Sequence, residues 1–176
     1  MVRCKACRDW QTPVRAAWHY SFPIDAIITR LKYRGDLALV RALGALVANC
    51  SDLAAAECVI PVPLHRARLA ERGYNQAHLI AAALTRRAGI APPVDALRRH
   101  RNTVTQATLL GAARQRNVAG AFSVQQEVQG LSCVLVDDVV TTGSTLQAAA
   151  AALRAAGARQ VLGIALARAG HAAGAR

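Results

Sequence analysis

The chain reads as an α/β protein: a mainly parallel twisted sheet with helices on both faces. Three observations predict this. Short apolar runs of strand character alternate with longer alanine- and leucine-rich stretches of helical character. Glycines stand at the ends of the helical stretches, at Gly35, Gly89 and Gly157. Apolar residues make up 53 % of the 176 positions, enough for one domain to bury a real core.

The elements follow in order. Residues 14–22 alternate loosely and carry Trp18 and Tyr20, which predicts a strand. Pro23 suits the first turn of a helix whose Ile27, Ile28 and Leu31 share a face and which ends at Gly35. Asp36 can cap a second helix reaching Ala48. Residues 58–63 read as a short strand, with Pro61 and Pro63 confining ladder pairing to its start. A basic loop over 64–74 precedes a helix that runs from Asn75 to its stop at Gly89. Another strand is expected near 94–98. Residues 99–117 are polar, basic and without periodicity, so they read as a long loop, a kind that is usually functional or disordered. Strands are predicted over 121–124 and 131–136, then a helix from Leu146 to Ala156 and a last strand over 160–167. Alanine, the best helix former, carries that last helix. From Ala169 onward the chain reads as a frayed tail.

Charge narrows the ligand class. The formal net charge is +12, and 20 of the 22 basic residues are arginine. Arginine favours forked contact with phosphate oxygens, so the chain should meet a small polyphosphate or a nucleic acid. An aromatic content of 4 % speaks against a single-strand platform built on base stacking. No run approaches the roughly 18 apolar residues of a membrane span. The start, Met1 to Cys7, lacks the apolar core of a signal peptide, so a cytoplasmic location is expected. The five cysteines are an odd count and argue against a disulfide framework. Cys58 and Cys133 precede apolar runs and should be buried. Cys4-x-x-Cys7 has the spacing of half a zinc ribbon, but a structural zinc site needs four ligands and no second pair follows, so no metal ligands are assigned.

The most informative segment is Val134-Leu135-Val136-Asp137-Asp138-Val139-Val140-Thr141-Thr142-Gly143-Ser144-Thr145. An apolar strand ends in two acids and opens into a small polar loop ahead of a helix. The loop and the helix N-terminus offer backbone N–H groups and a positive dipole end to a phosphate. Gly143 permits close approach or a positive φ, and the hydroxyls of Thr141, Thr142, Ser144 and Thr145 add donors. The carboxylates would repel a phosphate, so vicinal ribose hydroxyls are their natural partner.

This segment closely resembles the phosphoribosyl pyrophosphate (PRPP) signature of type I phosphoribosyltransferases. The resemblance implies that Asp137 and Asp138 bind the ribose hydroxyls, that Thr141, Thr142, Gly143, Ser144 and Thr145 hold the 5′-phosphate, and that Val139 and Val140 between them belong to the PRPP-binding segment. It assigns the same two acids the catalytic role of favouring positive charge on the ribose. The basic loop one β-α unit earlier resembles the pyrophosphate loop, through Leu64, His65, Arg66 and Arg72, with Arg68 beside them. Arg72-Gly73-Tyr74-Asn75-Gln76 resembles the RGxNQ segment of the ComF family of competence-associated phosphoribosyltransferase-like proteins. Arg99, Arg101, Thr103, Gln106 and Arg114 resemble that family's flexible loop, which closes over PRPP and excludes water.

The resemblance implies a phosphoribosyltransferase domain over residues 14–168, a zinc-ribbon-like remnant over 1–13 and a tail over 169–176. It also implies Mg²⁺ as cofactor, PRPP as substrate, an acceptor left open, and transfer with loss of pyrophosphate. Weak nucleic-acid contact and a homo-oligomer are admitted; no membrane partner is. The position four after the second acid is Thr142, so no carboxylate stands ready to assist a purine nitrogen. Two other readings stay open: a non-catalytic PRPP-binding regulatory module, and a basic DNA-binding competence accessory.

Overall fold

The computed structural model describes residues 11–101, except 35, 37, 38, 41, 44–46, 48–52 and 54, together with residues 120–170. In chain order its elements are β1 (Val14–His19), α1 (Ile24–Arg34), β2 (Cys58–Pro61), α2 (Arg66–Arg72), α3 (Gln76–Ala88), β3 (Leu97–Arg99), β4 (Phe122–Val124), β5 (Ser132–Val140), α4 (Ser144–Ala155) and β6 (Gln160–Arg168). Four strands form a parallel sheet in the order β1-β6-β5-β2, and β3 and β4 form a separate antiparallel ribbon.

Strand alternation feeds two cores, one on each face of the sheet. Val59, Val134, Val136, Ile164 and Leu166 pack with Ile28 and Leu31 of α1 and with Ile80 and Leu84 of α3. Ile60, Cys133, Leu135 and Ala165 face the other way, onto Leu146, Ala149, Ala150 and Leu153 of α4 and onto Leu97 and Phe122 of the ribbon. Helices therefore cover both faces, as parallel sheets require. Small residues set the spacing on the α4 side. A side chain at Gly163 of β6 would meet Val14 Cγ2 at 3.0 Å and Leu146 Cδ1 at 3.5 Å. Cys58 and Cys133 are buried register partners, as expected of small apolar side chains.

Several boundaries differ from the sequence reading. β5 does not stop at 136 but runs through both acids to Val140, because β6 continues to pair with it as far as Val140 beside Arg168. The ladder outweighs the low strand preference of aspartate. The basic stretch 64–74 contains α2, since its arginine, alanine, leucine and glutamate residues are good helix formers. His65 caps α2 by accepting the Ala67 N–H at 3.3 Å, and Gly73 ends it at φ 79°. Arg99 lies on β3 rather than in a loop. β1 ends at His19, and the Tyr20 amide turns to the Arg168 carbonyl at 2.8 Å. Asp36 accepts the Leu39 N–H at 3.3 Å, as a cap should, but much of the stretch to Ala48 lies outside the described residues. So do Cys4, Cys7, Cys50, Thr103, Gln106 and Arg114, and all of the tail beyond Gly170. No helix of the described residues is long and apolar enough to cross a membrane.

Candidate functional site

Between Val140 and Ser144 the chain has three residues, Thr141, Thr142 and Gly143, in which to turn from strand to helix. Gly143 makes the turn at φ 73°, a left-handed conformation that side chains resist. No side chain caps α4, and no acid sits in its first turn. Its leading amides and dipole are therefore left for a ligand. They border an open cleft lined by Asp137, Val139, Val140, Thr141, Gly143, Ser144, Thr145 and Leu146. Of the residues assigned to PRPP from sequence, Asp138 and Thr142 do not line it. The Thr142 hydroxyl instead lies 3.0 Å from the Ser144 hydroxyl.

The two acids part company because β5 continues through them. Asp137 follows Leu135 onto the α4 face and enters the cleft. Asp138 follows Val136 onto the α1 face, is 5 % exposed, and places Oδ2 3.0 Å from Lys32 Nζ. Each carboxylate also bends back on the next amide. Asp137 Oδ1 accepts from the Asp138 N–H at 2.9 Å, and Asp138 Oδ1 from the Val139 N–H at 2.7 Å. Burial pushes the Asp137 carboxyl up to about 8, and the Asp138 charge adds to the rise. The Asp138 amide and the Lys32 ammonium oppose it. Sequence reading passed over Lys32, since a single lysine within a helix has no signature. Its one clue is rarity: the chain has two lysines against twenty arginines.

The basic segment divides in a similar way. Arg72 donates to Gln76 Oε1 at 2.6 Å and lies over the Tyr33 ring, 5.7 Å from its centroid. The Tyr74 hydroxyl donates to the Leu31 carbonyl, and Asn75 donates to the Val62 carbonyl at 3.1 Å while capping α3 at Ala77. Together with Gly73, these residues make the stretch 72–76 a clamp between α1, β2 and α3. His65 is a helix cap, Leu64 is half-buried, and Arg66 and Arg101 are exposed.

Arg99 is the arginine brought within reach of the Asp137 charge. Arg99 is half-buried over Phe122, 5.6 Å from the ring centroid, and its Nε donates to the Arg101 carbonyl at 3.3 Å. Burial lowers the Arg99 pKa, the Asp137 charge raises it, and the Arg68 charge lowers it again. Arg99 thus feels the charge of both Asp137 and Arg68. Among the described residues, no three histidine, cysteine, aspartate or glutamate side chains are grouped to hold a metal ion.

Residues 71–175 match the phosphoribosyl transferase domain. Competence protein F of Haemophilus influenzae is 35 % identical over 161 residues, which cover 86 % of this chain and 70 % of that protein. DNA utilization protein YhgH of Escherichia coli is 35 % identical over 144 residues, 78 % of this chain and 63 % of the other. Competence protein ComFC of Bacillus subtilis is 28 % identical over 162 residues, 85 % of this chain and 65 % of the other. The chain spans less than two thirds of the length of these last two proteins.

Proposed function

Since this chain belongs to the ComF family of phosphoribosyl transferase domain proteins, we propose that it binds Mg²⁺-PRPP and transfers ribose 5-phosphate to an acceptor, releasing pyrophosphate. One observation carries the reading: the uncapped N-terminus of α4, the glycine turn and Asp137 share a single cleft. A dianionic phosphate suits the amides and dipole of the first, and a sugar hydroxyl suits the carboxylate. The 5′-phosphate seats against Thr141, Gly143, Ser144 and Thr145, and the ribose lies over Asp137 with Asp138 behind it. Pyrophosphate then extends toward Arg68 and Arg99, with Arg66 and Arg101 available from the adjoining segments.

In the transfer, the bond from C1′ to the pyrophosphate oxygen breaks, its electron pair leaves with pyrophosphate, and the acceptor adds from the opposite side. Positive charge develops on the ribose, where a carboxylate at Asp137 favours it. The arginines stabilise the departing charge, and the loop fixes the ribose through its 5′-phosphate. A substrate-borne Mg²⁺ would supply positive charge at the phosphate oxygens, and such an ion would call for few protein ligands.

The relatives' names associate those proteins with competence and DNA utilization, and the net charge of +12 supports a rival reading as a basic DNA-binding accessory. A second rival keeps PRPP binding without turnover. Pyrophosphate release from Mg²⁺-PRPP across a panel of bases, nucleosides and amines tests the proposal, with calorimetric PRPP binding run in parallel. Release with one acceptor supports transfer. Binding without release favours the regulatory module, and no binding overturns the PRPP reading.

A further inference from the structure

Building on the PRPP reading, we propose that Lys32 is a positioning residue, which holds the Asp138 carboxylate from behind the site. Three successive residues of α1 are each held by a different part of the chain. The Leu31 carbonyl accepts from the Tyr74 hydroxyl, Lys32 Nζ lies 3.0 Å from Asp138 Oδ2, and Tyr33 lies beneath Arg72. Side chains on successive helix residues point about 100° apart, so this one turn is held from three directions. Leu31 itself is fully buried, which anchors the turn in the core.

The ion pair is enclosed, with side-chain exposures of 25 % for Lys32 and 7 % for Asp138. Asp138 Oδ1 accepts from the Val139 amide, while the buried Oδ2 has the Lys32 ammonium at ion-pair distance but no aligned hydrogen bond. The charge arrangement also has a consequence for the ligand. PRPP is a polyanion, and two adjacent carboxylates without a counter-charge would repel it. Lys32, which does not line the cleft, supplies that counter-charge: it pairs with Asp138, and its charge also acts on Asp137. A compact ammonium on a thin stem suits this single oxygen better than a forked guanidinium, which accounts for a lysine in a chain otherwise dominated by arginine.

The experiment is a double-mutant cycle read in Mg²⁺-PRPP affinity by calorimetry, on variants shown by thermal melting to be folded. Lys32→Gln should weaken PRPP binding about tenfold, and Lys32→Arg should recover it to within about threefold. In an Asp138→Asn background the same Lys32→Gln change should cost less than about twofold, because the charge it held is gone. A merely structural role for the lysine stem predicts equal losses in both backgrounds. That result overturns the proposal, as does undiminished affinity in Lys32→Gln. Should Lys32→Gln fail to fold, Asp138→Asn is compared with the double variant, which buries no unpaired charge. Equal affinities are expected there, and a further tenfold loss overturns the proposal. No PRPP binding by the wild-type chain overturns the parent reading itself, and the role of Lys32 falls with it.

Discussion

Arg99 of β3 lies within electrostatic reach of Asp137 of β5, and the carboxylate's charge offsets the burial and the Arg68 charge that draw the guanidinium's pKa down. Once ionised, the acid is a counter-charge for Arg99. Arg99→Ala should weaken PRPP binding about tenfold, the loss of one charge-assisted contact. It should leave affinity for ribose 5-phosphate, which lacks the pyrophosphate, unchanged. Calorimetry with both ligands checks this, and equal losses for the two would remove Arg99 from the pyrophosphate side.

Asp137→Ala and Asp138→Ala should each weaken Mg²⁺-PRPP by at least about tenfold, through a direct contact in the first case and lost support in the second. The comparison needs folded variants and calorimetric affinities. Unchanged binding in both would sink the ribose assignment.

Gly143 has no tolerance for a branched side chain, because its φ of 73° is strained for any residue with a Cβ and it lines the cleft floor. Gly143→Val should abolish PRPP binding while the circular dichroism of the sheet and helices is retained. Normal affinity in a folded Gly143→Val variant would show that the loop is not the phosphate cradle.

Asp137 also gives stability a pH dependence. Its carboxyl is raised from the ordinary 3.8 to about 8 by burial and the Asp138 charge, so the native state holds this proton more tightly than the unfolded chain. The contribution is fully present below the ordinary carboxylate range and is lost as pH rises toward and through about 8. Asp137→Asn removes that slope. Urea melts should find the variant more stable than the wild type at about pH 9 and not at about pH 4. Parallel pH profiles for the two proteins would contradict the assignment.

How much of this was legible in the sequence depended on whether the signal was local. The phosphate loop was readable because a strand, a glycine turn and an uncapped helix lie within twelve consecutive residues. Asn75 and Gly89 bounded α3 for the same reason, each acting on its own backbone neighbourhood. What escaped was set across the sheet. The continuation of β5 to Val140 depends on β6, and along it Asp137 lines the cleft while Asp138 meets Lys32. Lys32 meets Asp138 only because α1 packs on the Val134 and Val136 side. Arg72 was chosen for its charge, yet Gln76 and Tyr33 engage it. Arg68, one arginine among three in the segment, is the one whose charge reaches Arg99.

If the arginines serve pyrophosphate in one pocket, DNA binding should be weak, steeply salt-dependent and displaced by PRPP. Fluorescence anisotropy of labelled DNA at about 50 and 200 mM salt, with and without Mg²⁺-PRPP, is the measurement. Tight binding that survives the higher salt and ignores PRPP would favour a dedicated DNA surface and reverse the ranking of the two readings.

β1 is the first strand of the described chain, yet its sheet neighbour is β6, the last. On the ribosome, β1 and α1 therefore emerge long before the edge on which they must dock. Thr12, just ahead of β1, waits likewise for Gln147 and Arg154 of α4. The apolar side of α1, with Ile28 and Leu31, has no sheet to cover until β5 and β6 have been made. Closing so long a loop is entropically costly and slow. The nascent chain consequently carries an exposed apolar helix through most of its synthesis, and the seat of Lys32 against Asp138 is among the last contacts to form.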